Sequence, residues 1–183
     1  IWQAIWRRKM KIALVFYLIA IAADLTACFL HKKKVRFLTK TALMPLLLLI
    51  VLLHFDFVPA LVTAGLAFGF LADLLLLFDK HKWSTPRGIA SFSIGHILYC
   101  IILLQGASFP KWYIVLAVCA VLVVGIAISY KGLHTYLSRP MKLPVLFYMT
   151  IICVMGAAAF IRLLAAPNLY NGIAVAGSLL FML

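Results

Sequence analysis

The feature that most constrains this chain is a succession of long apolar runs, separated by short clusters of basic residues, that continues from one end to the other. A helix satisfies its own backbone hydrogen bonds, and about 20 apolar residues of helix cross the roughly 30 Å of a bilayer's hydrocarbon. Broken at charge, proline and glycine clusters, the sequence gives seven segments, at about Ile12 to Leu30, Thr41 to Leu53, Phe57 to Phe78, Gly88 to Gln105, Trp112 to Tyr130, Leu143 to Leu164 and Tyr170 to Leu183. The second is short and is expected to borrow residues from its flanks. The seventh, about 14 residues or roughly 21 Å at 1.5 Å per residue, is read as incomplete, with the natural protein continuing past residue 183.

Composition excludes a soluble globular domain: 67% of residues are hydrophobic, 11% are charged and the mean hydropathy is +1.16, against roughly half apolar and a quarter charged in an ordinary domain. The expected fold class is all-α, a polytopic transmembrane helical bundle forming a single integral membrane domain over residues 1–183. Seventeen Lys and Arg against four acids, all Asp, give a net charge of +13. In a soluble protein that balance would suggest nucleic acid. Here the basic residues sit at the ends of apolar runs, so anionic lipid headgroups are the expected partner and nucleic acid is not.

The basic clusters also orient the chain. Lys32, Lys33, Lys34, Arg36 and Lys40, then Lys80, Lys82 and Arg87, then Lys131, Arg139 and Lys142 fall on one side, which the positive-inside bias makes cytoplasmic. Arg7, Arg8, Lys9, Lys11, Lys111 and Arg162 fall on the other, and the N-terminal group runs against that orientation. The first run follows basic residues as a signal peptide does, yet it is long, carries Asp24 and has no small-residue cleavage motif, so it is read as the first span. Cys28, Cys100, Cys119 and Cys153 lie singly in apolar runs and read as small buried hydrophobes.

An ionisable side chain inside a span is costly and by default marks a functional site. Asp73 is the sharpest case. Gly65, Gly69 and Asp73 recur at spacings of four, a single helix face on which the glycines allow close packing and the carboxyl points into the bundle. With a turn centred near Trp83, the antiparallel neighbour at the depth of Asp73 is Ser93, with His96 about one turn deeper. A lone histidine in an apolar run is more often a satisfied core residue, and Asp73 opposite is what makes His96 a candidate. Gly88, Gly95 and Tyr99 share one side of that helix. Tyr148 enters from the same membrane side in the sixth segment, and Lys40 stands at the rim of the second, in reach of a phosphate. Asp73 lies roughly 8 Å inside its helix end, near the level where glycerol joins acyl chain in a phospholipid, which suits a lipid-bond enzyme better than an ion pore. Asp24 is expected to pair with a base or cap a site, Arg162 to snorkel, and Trp83, Trp112 and Tyr130 to lie at the interface. His31, His54, His81 and His134 lack metal-ligand spacing, and no metal or other cofactor is expected.

Ala64-Gly65-Leu66-Ala67-Phe68-Gly69-Phe70-Leu71-Ala72-Asp73-Leu74-Leu75-Leu76, followed by Phe92-Ser93-Ile94-Gly95-His96-Ile97-Leu98-Tyr99, resembles the YhhN-like family, which includes the lysoplasmalogenases. Lys40-Thr41-Ala42-Leu43-Met44-Pro45 looks like that family's second span, with Thr41 where proline is common, and Pro144-Val145-Leu146-Phe147-Tyr148, with Met155 and Ala158, looks like its sixth. The resemblance runs from about Lys40 to the end, and the order of the fragments carries it. It implies an eight-helix membrane enzyme with a second aspartate in the seventh span, where Ala176-Gly177-Ser178-Leu179-Leu180-Phe181-Met182-Leu183 matches the opening of the family's segment. Aligning Gly177 with Gly65 puts the second acid two residues past Leu183, so the chain as given is expected to lack that acid and an eighth span.

The resemblance further implies hydrolysis of the vinyl ether bond of lysoplasmalogen to a fatty aldehyde and glycerophosphoethanolamine or glycerophosphocholine. Vinyl ethers hydrolyse by proton transfer to carbon, giving an oxocarbenium ion that water captures. Two intramembrane Asp residues divide the roles of acid and cation stabiliser, because two carboxylates close together do not both ionise easily. Asp73 is then one of the pair, His96 and Ser93 position water or tune Asp73, Tyr148 donates a hydrogen bond, Tyr99 contacts substrate, and Lys40 holds the phosphate. Two other readings stay open: a metal-dependent intramembrane amidase or esterase using Asp73 and His96 as ligands, and a non-enzymatic lipid-binding or transport protein. A bacterial inner membrane is the favoured location, with the endoplasmic reticulum as the eukaryotic counterpart. Oligomeric state is not set by these residues.

Overall fold

A computed structural model of the chain describes residues 2–30, 33–54, 59–77, 84–107 and 111–182, with the side chains at 2–10, 33, 34, 36–38, 40, 54, 77 and 182 outside that description. Among the described residues the chain is all-helical: α1 (Trp2–Phe29), α2 (Lys33–His54), α3 (Ala60–Leu77), α4 (Ser84–Leu104), α5 (Trp112–Leu133), α6 (Arg139–Ala165) and α7 (Leu169–Met182). Four are long and apolar enough to cross a membrane, through Lys11–Phe29, Ser84–Leu104, Trp112–Leu133 and Arg139–Ala165. The apolar stretches of α2, α3 and α7 are shorter, at Thr41–Leu53, Ala60–Leu76 and Leu169–Phe181. The protein is a helical membrane protein.

Its outward surface bears this out. α5 has no buried residue and turns Leu116, Val121, Val123, Val124 and Ile128 outward. α1 likewise exposes Ile12, Val15, Phe16, Leu18 and Ile19 and buries only the small Ala13 and Ala27 among its described side chains. In water such faces would aggregate, whereas hydrocarbon solvates them. Hydroxyls facing that environment are satisfied by their own helices, Thr26 donating to the Ala22 carbonyl at 2.6 Å and Thr150 to that of Leu146 at 2.9 Å.

The chain divides into two compact units, Ile1–Gly88 and Ile89–Leu183. In the first, α1 packs on α2 and α2 on α3. Asp24, expected to meet a base or cap a site, accepts a hydrogen bond from the Thr39 hydroxyl at 2.8 Å and so links α1 to α2. The first turn of α4 also belongs here and approaches α3 closely: a Cβ on Gly88 would lie 2.8 Å from Leu76 Cγ and 3.4 Å from the Ala72 carbonyl oxygen. The helix reaches back to Ser84 because Pro86, at its third residue, needs no intrahelical donor there.

In the second unit α6 packs on both α5 and α7. Its buried residues, Ile151, Ile152, Met155, Ala158, Ala159 and Ile161, recur at three- and four-residue spacings, and the alanines let neighbouring helices come near. Asn168 starts α7 as its cap, its side-chain oxygen accepting from the Asn171 amide at 2.8 Å. α4 ends at Gly106, whose φ of +66° is the left-handed conformation that glycine adopts freely. One side chain joins the ends of two helices: the Arg162 guanidinium donates to the Gln105 carbonyl at 2.7 Å. Arg162 therefore does more than reach for the interface, since it supplies a cation to the carbonyl end of α4. Replacing it by Met, which keeps most of the aliphatic stem, is expected to cost about 1 kcal/mol, read as a lowered Tm in detergent; an unchanged Tm would remove this capping role.

Candidate functional site

The second unit collects aromatic residues around one imidazole. His96 is 3% exposed, and its Nδ1 lies 2.7 Å from the carbonyl oxygen of Phe92, one turn earlier on α4. A carbonyl only accepts, so Nδ1 carries the proton and donates it, which leaves Nε2 with an in-plane lone pair. Nε2 is buried and has no hydrogen-bond partner among the described residues. The ring centroids of Phe181, Tyr148, Phe92 and Tyr99 lie 5.1, 5.7, 6.2 and 6.3 Å away, and three of them meet the imidazole edge to face. Three helices thus contribute: α4 through Phe92 and Tyr99, α6 through Tyr148 and α7 through Phe181.

Ser93, 3% exposed, donates its hydroxyl to the Ile89 carbonyl at 2.9 Å, so it has only oxygen lone pairs to offer a ligand. Gly95, next to His96 in sequence, is buried as well. On α7, Ser178 is 4% exposed and gives its hydroxyl to the Val175 carbonyl at 2.7 Å. The hydroxyl protons of Ser93 and Ser178 are therefore committed to backbone.

The first unit holds the carboxyl. Asp73 is 5% exposed, and Gly65, Gly69 and Asp73 are all buried, as one helix face requires at that spacing. Ala72 beside it is fully buried. α2 covers Gly69 with a side chain: a Cβ there would lie 3.6 Å from Met44 Cε, an ordinary contact with the end of a flexible chain. The tight backbone approach on α3 is instead the one at Gly88. Lys40 is in α2, but its side chain lies outside the described residues, as do Trp83, about which the expected turn is centred, and the loop lysines Lys32, Lys80 and Lys82. Among the described residues no group of three or more His, Cys, Asp or Glu is placed to hold a metal ion.

The YhhN family model matches residues 35–183, from the first turn of α2 through α7. The chain belongs to the YhhN family. No curated protein and no solved structure matches it. The YhhN match contains Asp73, Ser93, His96, Tyr99 and Tyr148, and α1 precedes it. Two residues whose rings pack on His96, Phe92 and Phe181, were not singled out as site residues by the sequence. Phe92 had a local signal, since it stands four residues before His96 on the same helix face. Phe181 had none, because its contact with His96 joins positions 85 residues apart.

Proposed function

We propose that the protein is a membrane-embedded hydrolase that cleaves the vinyl ether bond of lysoplasmalogens, releasing a fatty aldehyde and glycerophosphoethanolamine or glycerophosphocholine. The observation that carries this reading is a carboxyl group, Asp73, 5% exposed in an apolar helix of a YhhN-family membrane protein. Membrane lipid is the substrate class such a position meets. The reaction asks for a proton delivered to the outer vinyl carbon. The resulting oxocarbenium ion takes a water oxygen to become a hemiacetal, and collapse of the hemiacetal returns the glycerol hydroxyl and the aldehyde. The sum is one lipid and one water to two products, with no redox change.

In this scheme Asp73 is the acid or the anion that stabilises the cation. His96 and Ser93 present lone pairs to a donor such as water, Tyr148 supplies a phenolic hydrogen bond, Tyr99 lines the substrate path, and Lys40 holds the phosphate. The supporting features are an acid buried in one unit, a histidine locked as an acceptor in the other, and family membership that spans both. We place the protein in a bacterial inner membrane, or in the endoplasmic reticulum if its host is a eukaryote.

The test is release of fatty aldehyde from lysoplasmenylethanolamine by the purified full-length protein in detergent, with and without chelator. Chelator-insensitive aldehyde release is the expected result. No aldehyde from well-folded protein would overturn the assignment. Release that ends with chelator and returns with zinc would replace it with metal-assisted hydrolysis.

A further inference from the structure

We infer that His96 Nε2 is a binding site for one hydroxyl group, held as O–H donating to the imidazole lone pair. The Phe92 carbonyl 2.7 Å from Nδ1 fixes the tautomer, so Nε2 faces the aromatic enclosure as an acceptor. A buried acceptor left unmade costs free energy, and phenylalanine at this position would fill the space between Phe181, Tyr148 and Tyr99 without that cost. Beyond the Nδ1–H that the Phe92 carbonyl accepts, histidine here adds to the packing a lone pair. The hydroxyls of Ser93 and Ser178 do not answer it, since each donates to a carbonyl of its own helix. An ester oxygen carries no proton to give, so the lone pair is matched by a hydroxyl and not by an acylated oxygen.

The donor has two chemical sources, the free glycerol hydroxyl of a lysophospholipid or a water molecule, and that choice rests on the lysolipid reading above. If the glycerol hydroxyl occupies the site, His96 selects lysolipids over lipids acylated at that oxygen. If water does, His96 holds the nucleophile.

The experiment is nitrogen NMR of histidine-labelled protein in lipid nanodiscs, which needs no turnover and so stands or falls apart from the aldehyde assay. Its probes are a saturated 1-O-alkyl-2-hydroxy glycerophosphoethanolamine, which has no vinyl ether to hydrolyse, and its 2-deoxy counterpart. The expected spectrum shows Nδ1 protonated and Nε2 unprotonated and accepting a hydrogen bond. A shift of Nε2 with the hydroxy lipid and none with the deoxy lipid assigns the site to the glycerol hydroxyl. A hydrogen-bonded Nε2 that exchanges with water and ignores both lipids assigns it to water. His96→Phe should then weaken hydroxy-lipid binding roughly tenfold in the first case, or lower kcat with binding kept in the second, and His96→Gln, which retains an acceptor, should restore part of either loss. The inference is overturned by an Nε2–H tautomer, by an Nε2 that stays bare under every condition, or by a hydrogen bond that Tyr148→Phe abolishes, which would make the donor internal.

Discussion

Asp73→Asn is expected to reduce aldehyde release by about a hundredfold to ten-thousandfold, the range that a positioned proton donor contributes, while leaving the thermal unfolding of the protein close to wild type. Asn is the informative replacement because it keeps the size of the side chain and can still hydrogen-bond. Asp73 is 5% exposed and engaged with its surroundings, so Ala would open a cavity and leave a partner unsatisfied, confounding folding with chemistry. The amide cannot give up a proton to carbon and cannot carry the negative charge that stabilises an oxocarbenium ion, so both roles open to Asp73 are removed together. A variant that folds and retains turnover within about threefold of wild type would exclude the carboxyl from the chemistry. Asp73→Glu separates the two roles: an acid displaced by one methylene should lose more in proton delivery, which needs hydrogen-bond reach, than in electrostatic support.

The helices were legible in the sequence because an apolar run in a membrane protein has one available secondary structure. Their boundaries were less so, for a physical reason. Breaking the chain at charges and glycines puts the second segment at Thr41 and the fourth at Gly88, but α2 starts at Lys33 and α4 at Ser84. Helix formation follows backbone hydrogen bonding, and basic side chains at the headgroup level do not oppose it. α6 likewise runs back to Arg139 with Pro140 in its first turn, and Pro45 and Pro144 lie inside helices that the neighbouring residues carry on.

The site shows a similar division. The one-face periodicity of Gly65, Gly69 and Asp73 is visible from spacing alone, and so is the stacking of Phe92, His96 and Tyr99 on α4, because both are properties of a single helix. What spacing does not encode is the long-range partner. Phe181 reaches His96 from α7, and Arg162 reaches the end of α4 from α6 instead of standing free at the interface. Whether a given glycine is packed tightly is also a tertiary fact. Gly69 and Gly88 look alike as small residues in apolar helices, but one faces the flexible end of Met44 and the other faces the branch point of Leu76.

That last difference gives the second large effect. Gly88→Ala should destabilise the protein by about 1–3 kcal/mol, because the new methyl would stand 2.8 Å from Leu76 Cγ and 2.9 Å from its Cδ2, distances that force α4 or the Leu76 side chain to move. Rotation about the Cβ–Cγ bond leaves Cγ where it is, so relief requires a change of the first side-chain torsion or a shift of the helix, and the Ala72 carbonyl oxygen 3.4 Å away closes a second direction. Ala's better helix propensity works the other way by about 1 kcal/mol, which makes the contrast with Gly69→Ala informative. There the added methyl meets only Met44 Cε at 3.6 Å and Sδ at 3.9 Å, so the propensity gain should leave that variant equal to or more stable than wild type. A double variant decides the cause. Leu76→Ala removes the clashing atoms, and Gly88→Ala made in that background should cost little, giving a favourable coupling of about 1–2 kcal/mol between positions that each destabilise alone. Simple additivity of the two losses, measured by unfolding in detergent, would show that the helices are held apart by something other than this contact. Because Leu76 and Ala72 flank Asp73 on α3, Gly88→Ala should also lower aldehyde release in protein that remains folded, and Leu76→Ala should restore part of it.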